Sequence, residues 1–359
     1  MRPSPSDPEG GRQHGRRGVS VVERIWHGRD PLATIARIAL APVAGLYRGI
    51  VAARGALYDV GVLPARQTIL PALSVGNLSV GGTGKTPVSA FIAARLRDRG
   101  GQPAIVLRGY GGDEPLVHAT LNPDIPVVVS PDRVAGVARA RVLGADVAVL
   151  DDAFQHRRAD RWGDIVLVSA DSWSAKQRLL PAGPWREPVR GLRRAALTIV
   201  TRKAASNAEA RAVVAALRAT VPTLATAIIW LAPGDLRDAR GPESRPIDAI
   251  AGKRLHVIAA IGDPGAFIRQ LEQAGAATVA SSVFPDHHEF TASDVARVAL
   301  ETAGAELVVC TLKDAVKLAP HWPAEAPRLW YVSQHVNVEV GIESLDLLLD
   351  GLLAARSTF

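Results

Sequence analysis

Short runs of Val, Ile and Leu recur through residues 61–235 and alternate with segments of helical periodicity. The helical patterns, such as those at 87–99 and 132–144, fall between apolar runs that read "TILPALSVGNL", "PAIVLRGY", "IPVVVS", "DVAVLDD", "DIVLVSA" and "LTIVTR". Nearly continuous apolar strands separated by helices are typical of a parallel sheet that is buried on both faces. The pattern therefore predicts an α/β domain with a mainly parallel sheet and helices on both faces.

A second, shorter series of strands and helices follows a break in this pattern. The break, "APGDLRDARGPESRP", collects Gly, Pro and charged residues, and beyond it come the apolar runs "RLHVIAAIG", "ATVASSVF", "ELVVCTL" and "RLWYVS". Alternation of such runs with helical segments again indicates an α/β unit. We predict a core domain over residues 61–235, a linker over 236–250 and a smaller α/β domain over 251–359.

The N-terminal region divides into a polar arm and an apolar helix. Residues 1–30 contain Pro, Gly, Arg and charged residues without an apolar stretch, which predicts a disordered arm. Residues 31–60 place one apolar stripe at helical spacing, with arginines roughly opposite. The stripe consists of Ile35, Ile38, Pro42, Leu46, Ile50, Ala53 and Leu57.

This N-terminal helix has two interpretations, a helix packed on its own domain and a helix lying in a membrane interface. Its longest uncharged run is ten residues, whereas a bilayer-spanning helix needs about 20 apolar residues. A transmembrane helix is therefore not predicted. Pro42 should kink or split the helix.

Composition and charge narrow the possible partners. The chain has 359 residues, 48% of them hydrophobic and 21% charged, a formal net charge of +7 and an isoelectric point near 10.0. The excess of arginine suits phosphate groups or an acidic bilayer face. Nucleic acid is not predicted as a partner, because aromatic residues make up only 5% and no basic run is interleaved with them. The single cysteine, Cys310, excludes an internal disulfide and favours a reducing compartment.

A glycine-rich turn after the first apolar run is the strongest chemical signal. Gly84, Lys85 and Thr86 complete the G-K-[ST] end of a phosphate-binding loop, between a predicted strand and a predicted helix. Such a loop turns backbone N–H groups toward phosphate oxygens, while the lysine reaches the β/γ-phosphates and the hydroxyl serves Mg²⁺. The first glycine of the usual pattern is absent. We predict a P-loop NTPase-like core whose nucleotide is held by Ser79, Val80, Gly81, Gly82, Thr83, Gly84, Lys85 and Thr86.

Carboxylates follow two other predicted strands, at the edge where an open α/β sheet binds ligands. Asp151 and Asp152 end "DVAVLDD", where they would complete a Mg²⁺–nucleotide site or, alternatively, cap a helix. Asp113 in "RGYGGDEP" has the chemistry of a base for a hydroxyl acceptor, although Asp and Glu are also ordinary turn residues. His156 in "AFQHRR" has a structural or a chemical role, and spacing does not separate the two.

Two further segments add candidates. In "LLPAGPWREP", Arg186 could clamp phosphate bidentately beside Glu187, or the two residues could pair at the surface. In "FPDHHEFT", adjacent histidines point apart and make a poor metal pair, so a histidine paired with an active-site carboxylate is the better use. The D-H-H triplet is also found in phosphoesterases, but their Asp-rich metal motifs are missing from this sequence.

Taken in order, six motifs resemble those of the tetraacyldisaccharide 4′-kinases of lipid A biosynthesis. They are "SVGNLSVGGTGKTP", "RGYGGDEP", "DDAFQHRR", "LLPAGPWREP", "FPDHHEFT" and "TLKDAVKL", and the resemblance runs from about residue 31 to 335. It implies ATP- and Mg²⁺-dependent phosphorylation of the 4′-hydroxyl of a tetraacylated glucosamine disaccharide 1-phosphate, giving lipid IVA. It further implies a site in the cleft between the two domains. A peripheral location at the cytoplasmic face of a Gram-negative inner membrane follows, which favours the membrane-interface interpretation of the helix.

The resemblance also implies roles for individual residues. Lys85 and Thr86 would contact phosphate and Mg²⁺, with Asp151 and Asp152 completing the metal site. Asp113 would be the catalytic base, and His287 its partner from the second domain. Other positions fall in motifs that line the active site of the family: Tyr110, Glu114, Gln155, Arg186 and Glu187.

Several positions depart from the family pattern. An insert that usually lies between "RGYGG" and "GDEP" is collapsed, Ala153 and Leu312 replace the usual Gly and Glu, and Leu107 replaces a serine. None of these changes removes a phosphate, metal or proton-transfer group, so they bear on rate and acyl-chain preference. The alternative function is a P-loop ATPase or GTPase acting as a regulatory switch or membrane adaptor, which would hydrolyse nucleotide without phosphorylating an acceptor.

Overall fold

The structure, a computed structural model, describes residues 21–28, 30–109 and 112–358. Its strands are β1 (Arg66–Gln67), β2 (Ala72–Asn77), β3 (Pro103–Leu107), β4 (Val127–Val129), β5 (Val147–Asp151), β6 (Ala159–Asp160), β7 (Gly163–Ser169), β8 (Leu197–Arg202), β9 (Thr226–Asp238), β10 (Ser244–Arg245), β11 (Arg254–Ala259), β12 (Thr278–Val283), β13 (Leu307–Thr311) and β14 (Leu329–Val340). Its α-helices are α1 (Val21–His27), α2 (Pro31–Asp59), α3 (Lys85–Arg97), α4 (Asp113–Leu121), α5 (Arg133–Val142), α6 (Asn207–Thr220), α7 (Pro264–Gln273), α8 (Ala292–Glu301), α9 (Leu312–Leu318) and α10 (Ile342–Ala354). Short 3₁₀ segments lie at Val189–Arg194, Ile247–Ile250, Ala319–His321 and Ala355–Thr358.

Within the described residues, one sheet of twelve strands runs through the whole molecule. Its order is β12-β11-β13-β14-β9-β8-β7-β2-β5-β3-β4, with β10 added beside β9, while β1 and β6 pair separately. Neighbours are parallel on both sides of one antiparallel seam, where β14 meets β9. The predicted α/β fold with a mainly parallel sheet is therefore confirmed, and the seam joins its two halves.

Helices cover both faces of the N-terminal half. One apolar cluster packs α3 against the sheet through Val88, Ile92 and Leu96. The opposite cluster places α6 and the segment 179–192 on the other face. Every residue of β2 is buried, as expected for a central strand of a sheet covered on both sides.

The last helix returns to the first half of the chain. Leu345 and Leu349 of α10 are buried in the same cluster as α3, and Arg95 of α3 makes two 2.8 Å hydrogen bonds to Asp346. The structure thus differs from the predicted domain over 251–359, because α10 buries its apolar face against the core domain. The predicted linker over 236–250 is also partly ordered, since β9 extends to Asp238 and β10 pairs with it.

The prediction of a disordered arm over residues 1–30 is wrong for residues 21–27. Residues 21–27 form α1, and the indole of Trp26 donates a 2.9 Å hydrogen bond to the carbonyl oxygen of Pro181. Residues 1–20 lie outside the described part of the chain. Asp30 then caps α2 by accepting a hydrogen bond from the Ala33 N–H.

α2 is one continuous helix of 29 residues despite Pro42. The carbonyl that Pro42 leaves unpaired is on the exposed face, so the lost hydrogen bond does not break the helix. Its length and composition are sufficient to cross a membrane, although a core helix or a signal sequence passes the same test. The exposed side carries large apolar residues, namely Leu32, Ile35, Ile38, Val43, Leu46, Ile50 and Leu57.

The opposite side of α2 is attached to the core domain. The Tyr47 hydroxyl donates to the carbonyl oxygen of Arg186 at 3.0 Å, and Arg157 donates to the carbonyl oxygen of Gly55 at 2.8 Å. The guanidiniums of Arg54 and Arg157 lie over the ring of Tyr58. The helix is therefore held along one side and, among the described residues, presents an exposed apolar stripe along the other.

Candidate active site

The glycine-rich turn links β2 to α3, as the sequence predicted. Gly84 has a φ of 82°, and a Cβ at this position would lie 2.3 Å from Leu231 Cδ1. Both the left-handed backbone and the close contact require glycine. The side-chain amide of Asn77 donates to Thr83 Oγ1 at 3.0 Å, and Thr201 Oγ1 donates to the Thr83 carbonyl oxygen at 2.9 Å. The turn is thus fixed from two strands.

A cavity of about 500 Å³ opens over this turn. Residues 81–87 form one wall, α3 and α4 contribute Phe91 and Glu114, and the second half contributes Gly262, His287 and Lys313. Residues of β14 close another side. The cavity therefore lies between the two halves, and the family resemblance predicts the active-site cleft between the two domains.

Asp151 and Asp152, at the carboxyl end of β5, occupy different environments. Asp151 is buried, and its two carboxylate oxygens accept hydrogen bonds from Ser89 Oγ at 3.0 Å and from His118 Nε2 at 2.9 Å. Burial raises the pKa of Asp151, but the hydrogen bond from His118 and the charge of Lys85 outweigh it, so the pKa falls below its ordinary value. Asp152 is more exposed, and its Oδ1 lies 3.9 Å from Lys85 Nζ.

The proline-rich segment supplies a cation beside Asp152. Arg186 Nη1 lies 3.1 Å from Asp152 Oδ1, and Gln155 donates to the carbonyl oxygen of Asn77 at 2.9 Å. Glu187 is buried and accepts a 2.9 Å hydrogen bond from Arg194. Arg186 and Glu187 therefore have separate partners, and the carboxylate of Glu187 is committed to the packing of its own segment.

Asp113 and His287, which are 174 positions apart, are in contact, and His287 lines the cavity. Asp113 begins α4, is 1% exposed, and its Oδ1 accepts a hydrogen bond from His287 Nδ1 at 3.2 Å. Lys317 Nζ lies 3.5 Å and Lys313 Nζ 3.8 Å from Asp113 Oδ2. His287 has a φ of 59°, a left-handed conformation that is uncommon outside glycine and is a recurrent feature of functional sites.

These contacts set the charges of the pair. Burial raises the pKa of Asp113, but the hydrogen bond from His287 and the charges of Lys313 and Lys317 bring it below its ordinary value. The hydrogen bond to Asp113 raises the pKa of His287. Asp113 is therefore an ionised acceptor at neutral pH, held by groups from the other half of the molecule.

Glu114 has the opposite tendency. It lines the cavity, and burial together with the negative charge of Asp151 raises its pKa to about 7. Two adjacent carboxyl groups at the start of α4 are thus driven apart in pKa, with Asp113 charged and Glu114 partly protonated near neutral pH. Such a separation is a frequent mark of an active site.

Known proteins similar to this chain identify its family. The model of the tetraacyldisaccharide-1-P 4′-kinase (LpxK) family matches residues 36–353. The chain belongs to this family. A tetraacyldisaccharide 4′-kinase of Anaeromyxobacter sp. (strain Fw109-5) is 39% identical over 364 residues, covering 94% of this chain and 97% of that protein. One from Halorhodospira halophila is 38% identical, covering 88% and 92%.

A solved LpxK structure has the same fold. The LpxK of Aquifex aeolicus, in complex with ATP, superposes with a TM-score of 0.67 at 28% identity, covering 88% of this chain and 99% of that one. The family assignment made from the motifs is therefore confirmed.

The residues near the turn fit the Mg²⁺ ion that accompanies ATP. Among residues 21–28, 30–109 and 112–358, no group of three or more His, Cys, Asp or Glu is arranged to hold a metal ion. A nucleotide-bound Mg²⁺ needs fewer protein ligands, because waters and phosphates fill most positions. Thr86 lines the cavity and Asp152 lies beside Lys85, so both can serve. Asp151, predicted as a second metal ligand, is buried and already accepts hydrogen bonds at both oxygens.

Several residues near the site were not predicted from the sequence. Lys203 follows β8 and donates a 2.9 Å hydrogen bond to the Gly82 carbonyl oxygen; its place after a parallel strand was the available signal. Lys313 and Lys317 are one turn apart in "TLKDAVKL", a spacing that puts both on one helix face. His118 had no signal, because its contact with Asp151 joins two elements distant in sequence. Tyr110, predicted to line the site, lies outside the described residues.

Proposed function

We propose that this chain transfers the γ-phosphate of ATP to the 4′-hydroxyl of a tetraacylated glucosamine disaccharide 1-phosphate, giving the bisphosphorylated lipid A precursor lipid IVA. The observation that carries the proposal is a buried carboxylate, Asp113, contacted by His287 and Lys313, both of which line the same cavity as the phosphate loop. A nucleotide switch needs the phosphate loop but has no use for a buried carboxylate held in this way beside it.

The triphosphate binds at the turn between β2 and α3. Residues 81–86 line the cavity there, Lys85 would contact the β/γ-phosphates, and Thr86 with Asp152 would hold the metal. Bound Mg²⁺ supplies neutralisation of the charge that gathers on the γ-phosphate oxygens. Arg186, already 3.1 Å from Asp152, adds positive charge on the same side.

The acceptor hydroxyl is activated by Asp113. One of its oxygens is occupied by His287, whereas Oδ2 is buried without a hydrogen-bond partner among the described residues. That oxygen accepts the proton of the sugar hydroxyl as the new P–O bond forms and the bond to ADP breaks. The lysines near it stabilise the carboxylate before transfer, and His287 keeps it oriented.

The cleft keeps water away from the reacting groups. Water competes with the sugar as acceptor, so transfer is favoured when the halves enclose the reacting groups. Gly262 already approaches the phosphate loop so closely that a Cβ there would lie 2.9 Å from Gly82 N. The second half is thus placed to cover the triphosphate.

We infer further that the enzyme is peripheral on the cytoplasmic face of the inner membrane. The acceptor carries acyl chains, and α2 presents an apolar stripe with exposed Ile38, Leu46 and Ile50. Because the other side of α2 is attached to the core through Tyr47 and Arg157, lying in the interface leaves these contacts intact, whereas spanning the bilayer would break them.

The proposal is tested by incubating the protein with labelled ATP and a tetraacyl disaccharide 1-phosphate, followed by separation of the lipids. We expect acceptor-dependent label in a bisphosphorylated lipid, none without acceptor, and none with Lys85→Met. Release of free phosphate that is independent of acceptor, with no labelled lipid, would instead support the nucleotide-switch function.

A further inference from the structure

His118 is a buried imidazole in the last turn of α4. It is 0% exposed, follows the buried Val117 in α4, and its Nε2 lies 2.9 Å from Asp151 Oδ2. Its Nδ1 is buried without a hydrogen-bond partner in the described part of the chain. An apolar side chain would pack here without leaving an unsatisfied nitrogen, so burial alone does not account for a histidine.

The contact with Asp151 accounts for it. With the proton on Nε2, the imidazole donates to the carboxylate, and the nitrogen left unpaired is an acceptor, which is less costly to bury than an unpaired N–H. A hydrogen bond to a charged acceptor is worth about 1.5 to 3 kcal/mol. The hydrogen bond to the Asp151 carboxylate therefore accounts for a polar residue at this buried position.

Asp151 is held from three helices at once. His118 contacts Oδ2 from α4, Ser89 contacts Oδ1 from α3, and Arg133 of α5 donates to the Asp151 carbonyl oxygen at 3.1 Å. With both oxygens engaged, the carboxylate has one orientation. Its negative charge then acts from a fixed place: it raises the pKa of Glu114, while the charge of Lys85 lowers the pKa of Asp151 itself.

The same contact fixes α4. Asp113 is the first residue of this helix and His118 lies little more than one turn further along. A hydrogen bond between His118 and the end of β5 therefore sets how far Asp113 stands from the phosphate loop.

We propose that His118 is a positioning residue for phosphoryl transfer: it orients the Asp151 carboxylate behind the metal–nucleotide site and ties α4, with Asp113 at its start, to β5. The inference rests on the proposed function. Residues that orient the surroundings of a metal typically change metal affinity or activity by about 10- to 100-fold when replaced.

The test uses three variants of the full chain that differ in where they place an N–H. His118→Gln puts an amide nitrogen near the Nε2 position and should keep the contact. His118→Asn is also polar but reaches only the Nδ1 position, and His118→Leu has no donor. We expect the last two to need about 10- to 100-fold more Mg²⁺ to bind a fluorescent, non-hydrolysable ATP analogue, and His118→Gln to stay within about 3-fold of the wild type.

Controls separate positioning from folding. Ala119→Ser, exposed on the same helix, should behave as wild type. Thermal unfolding without nucleotide reports stability independently of Mg²⁺. Equal Mg²⁺ dependence in all variants would overturn the proposal, and so would a His118→Gln variant as impaired as His118→Asn. If His118→Leu does not fold, the comparison of His118→Gln with His118→Asn still decides the question. Failure of the proposed function is a different result, since it would appear as wild-type protein that binds Mg²⁺–nucleotide but labels no lipid.

Discussion

Asp113 and His287 should contribute to catalysis as one unit, which a double-mutant cycle can measure. Asp113 is buried and its Oδ1 is 3.2 Å from His287 Nδ1. Loss of a positioned base costs about 10² to 10⁴ in rate, so Asp113→Ala should lower kcat by that factor. His287→Ala removes a hydrogen bond to a charged group, worth about 1.5 to 3 kcal/mol, which corresponds to about 10- to 150-fold.

The loss of kcat is smaller for His287→Ala than for Asp113→Ala because two lysines still lie close to the Asp113 carboxylate. Lys317 and Lys313 still lie 3.5 and 3.8 Å from Asp113 Oδ2, so the carboxylate stays charged when the imidazole is removed. Without Asp113, by contrast, His287 has no base to orient. His287→Ala introduced into the Asp113→Ala variant should therefore lower kcat by less than about 3-fold further.

The assay is the initial rate of label transfer to the tetraacyl disaccharide 1-phosphate, with nucleotide affinity measured separately. ATP affinity should change little in all three variants, because neither residue belongs to the phosphate loop. His288→Gln is the matched control, since this adjacent histidine contacts Asp294 at 3.0 Å and does not contact Asp113 through its ring. Multiplication of the two single losses in the double variant would refute the shared role.

Three other expectations test separate parts of the structure. Gly84→Ala places a methyl group 2.3 Å from Leu231 Cδ1 at a φ of 82°, and should weaken ATP binding at least about 10-fold by calorimetry. Burial raises the pKa of Asp314 to about 6; since this folded value exceeds the unfolded one, the carboxyl lowers stability as pH rises from about 4 through 6. Asp314→Asn should accordingly raise the melting temperature at pH 8 by about 2 to 6 °C and change it little at pH 4. Leu46→Asp, in the exposed stripe of α2, should reduce co-sedimentation with anionic lipid vesicles about 10-fold and leave ATP affinity unchanged.

The parts of the site that the sequence revealed are those whose chemistry is local. A phosphate loop needs its glycines, lysine and hydroxyl within eight positions, and Asp151 and Asp152 end a strand whose apolar pattern is visible without a structure. Periodicity likewise indicated the parallel sheet. Such features depend on backbone geometry over a few residues, so a single sequence carries them.

The parts that the sequence did not reveal depend on contacts between distant segments. Arg186 pairs with Asp152 and not with Glu187, and His118 contacts Asp151, in each case across more than 30 positions. The return of α10 to the core was missed because its leucines suit any apolar surface. Pro42 was expected to interrupt α2, but the helix is continuous because the carbonyl that Pro42 leaves unpaired lies on the exposed face.

The seam in the sheet explains how the site can be both divided and rigid. β9 also pairs with β8 of the first half and β14 with β13 of the second, and β9 and β14 pair with each other from Ile228 with Val340 to Asp238 with Trp330. Asp113 and the phosphate loop belong to the first half. His287 and Lys317, which contact Asp113, belong to the second half of the same continuous sheet. Because the two sides are hydrogen-bonded along this ladder apart from two register shifts, large hinge motion between them is disfavoured. The left-handed backbone of His287 locates its strain where the base receives its partner.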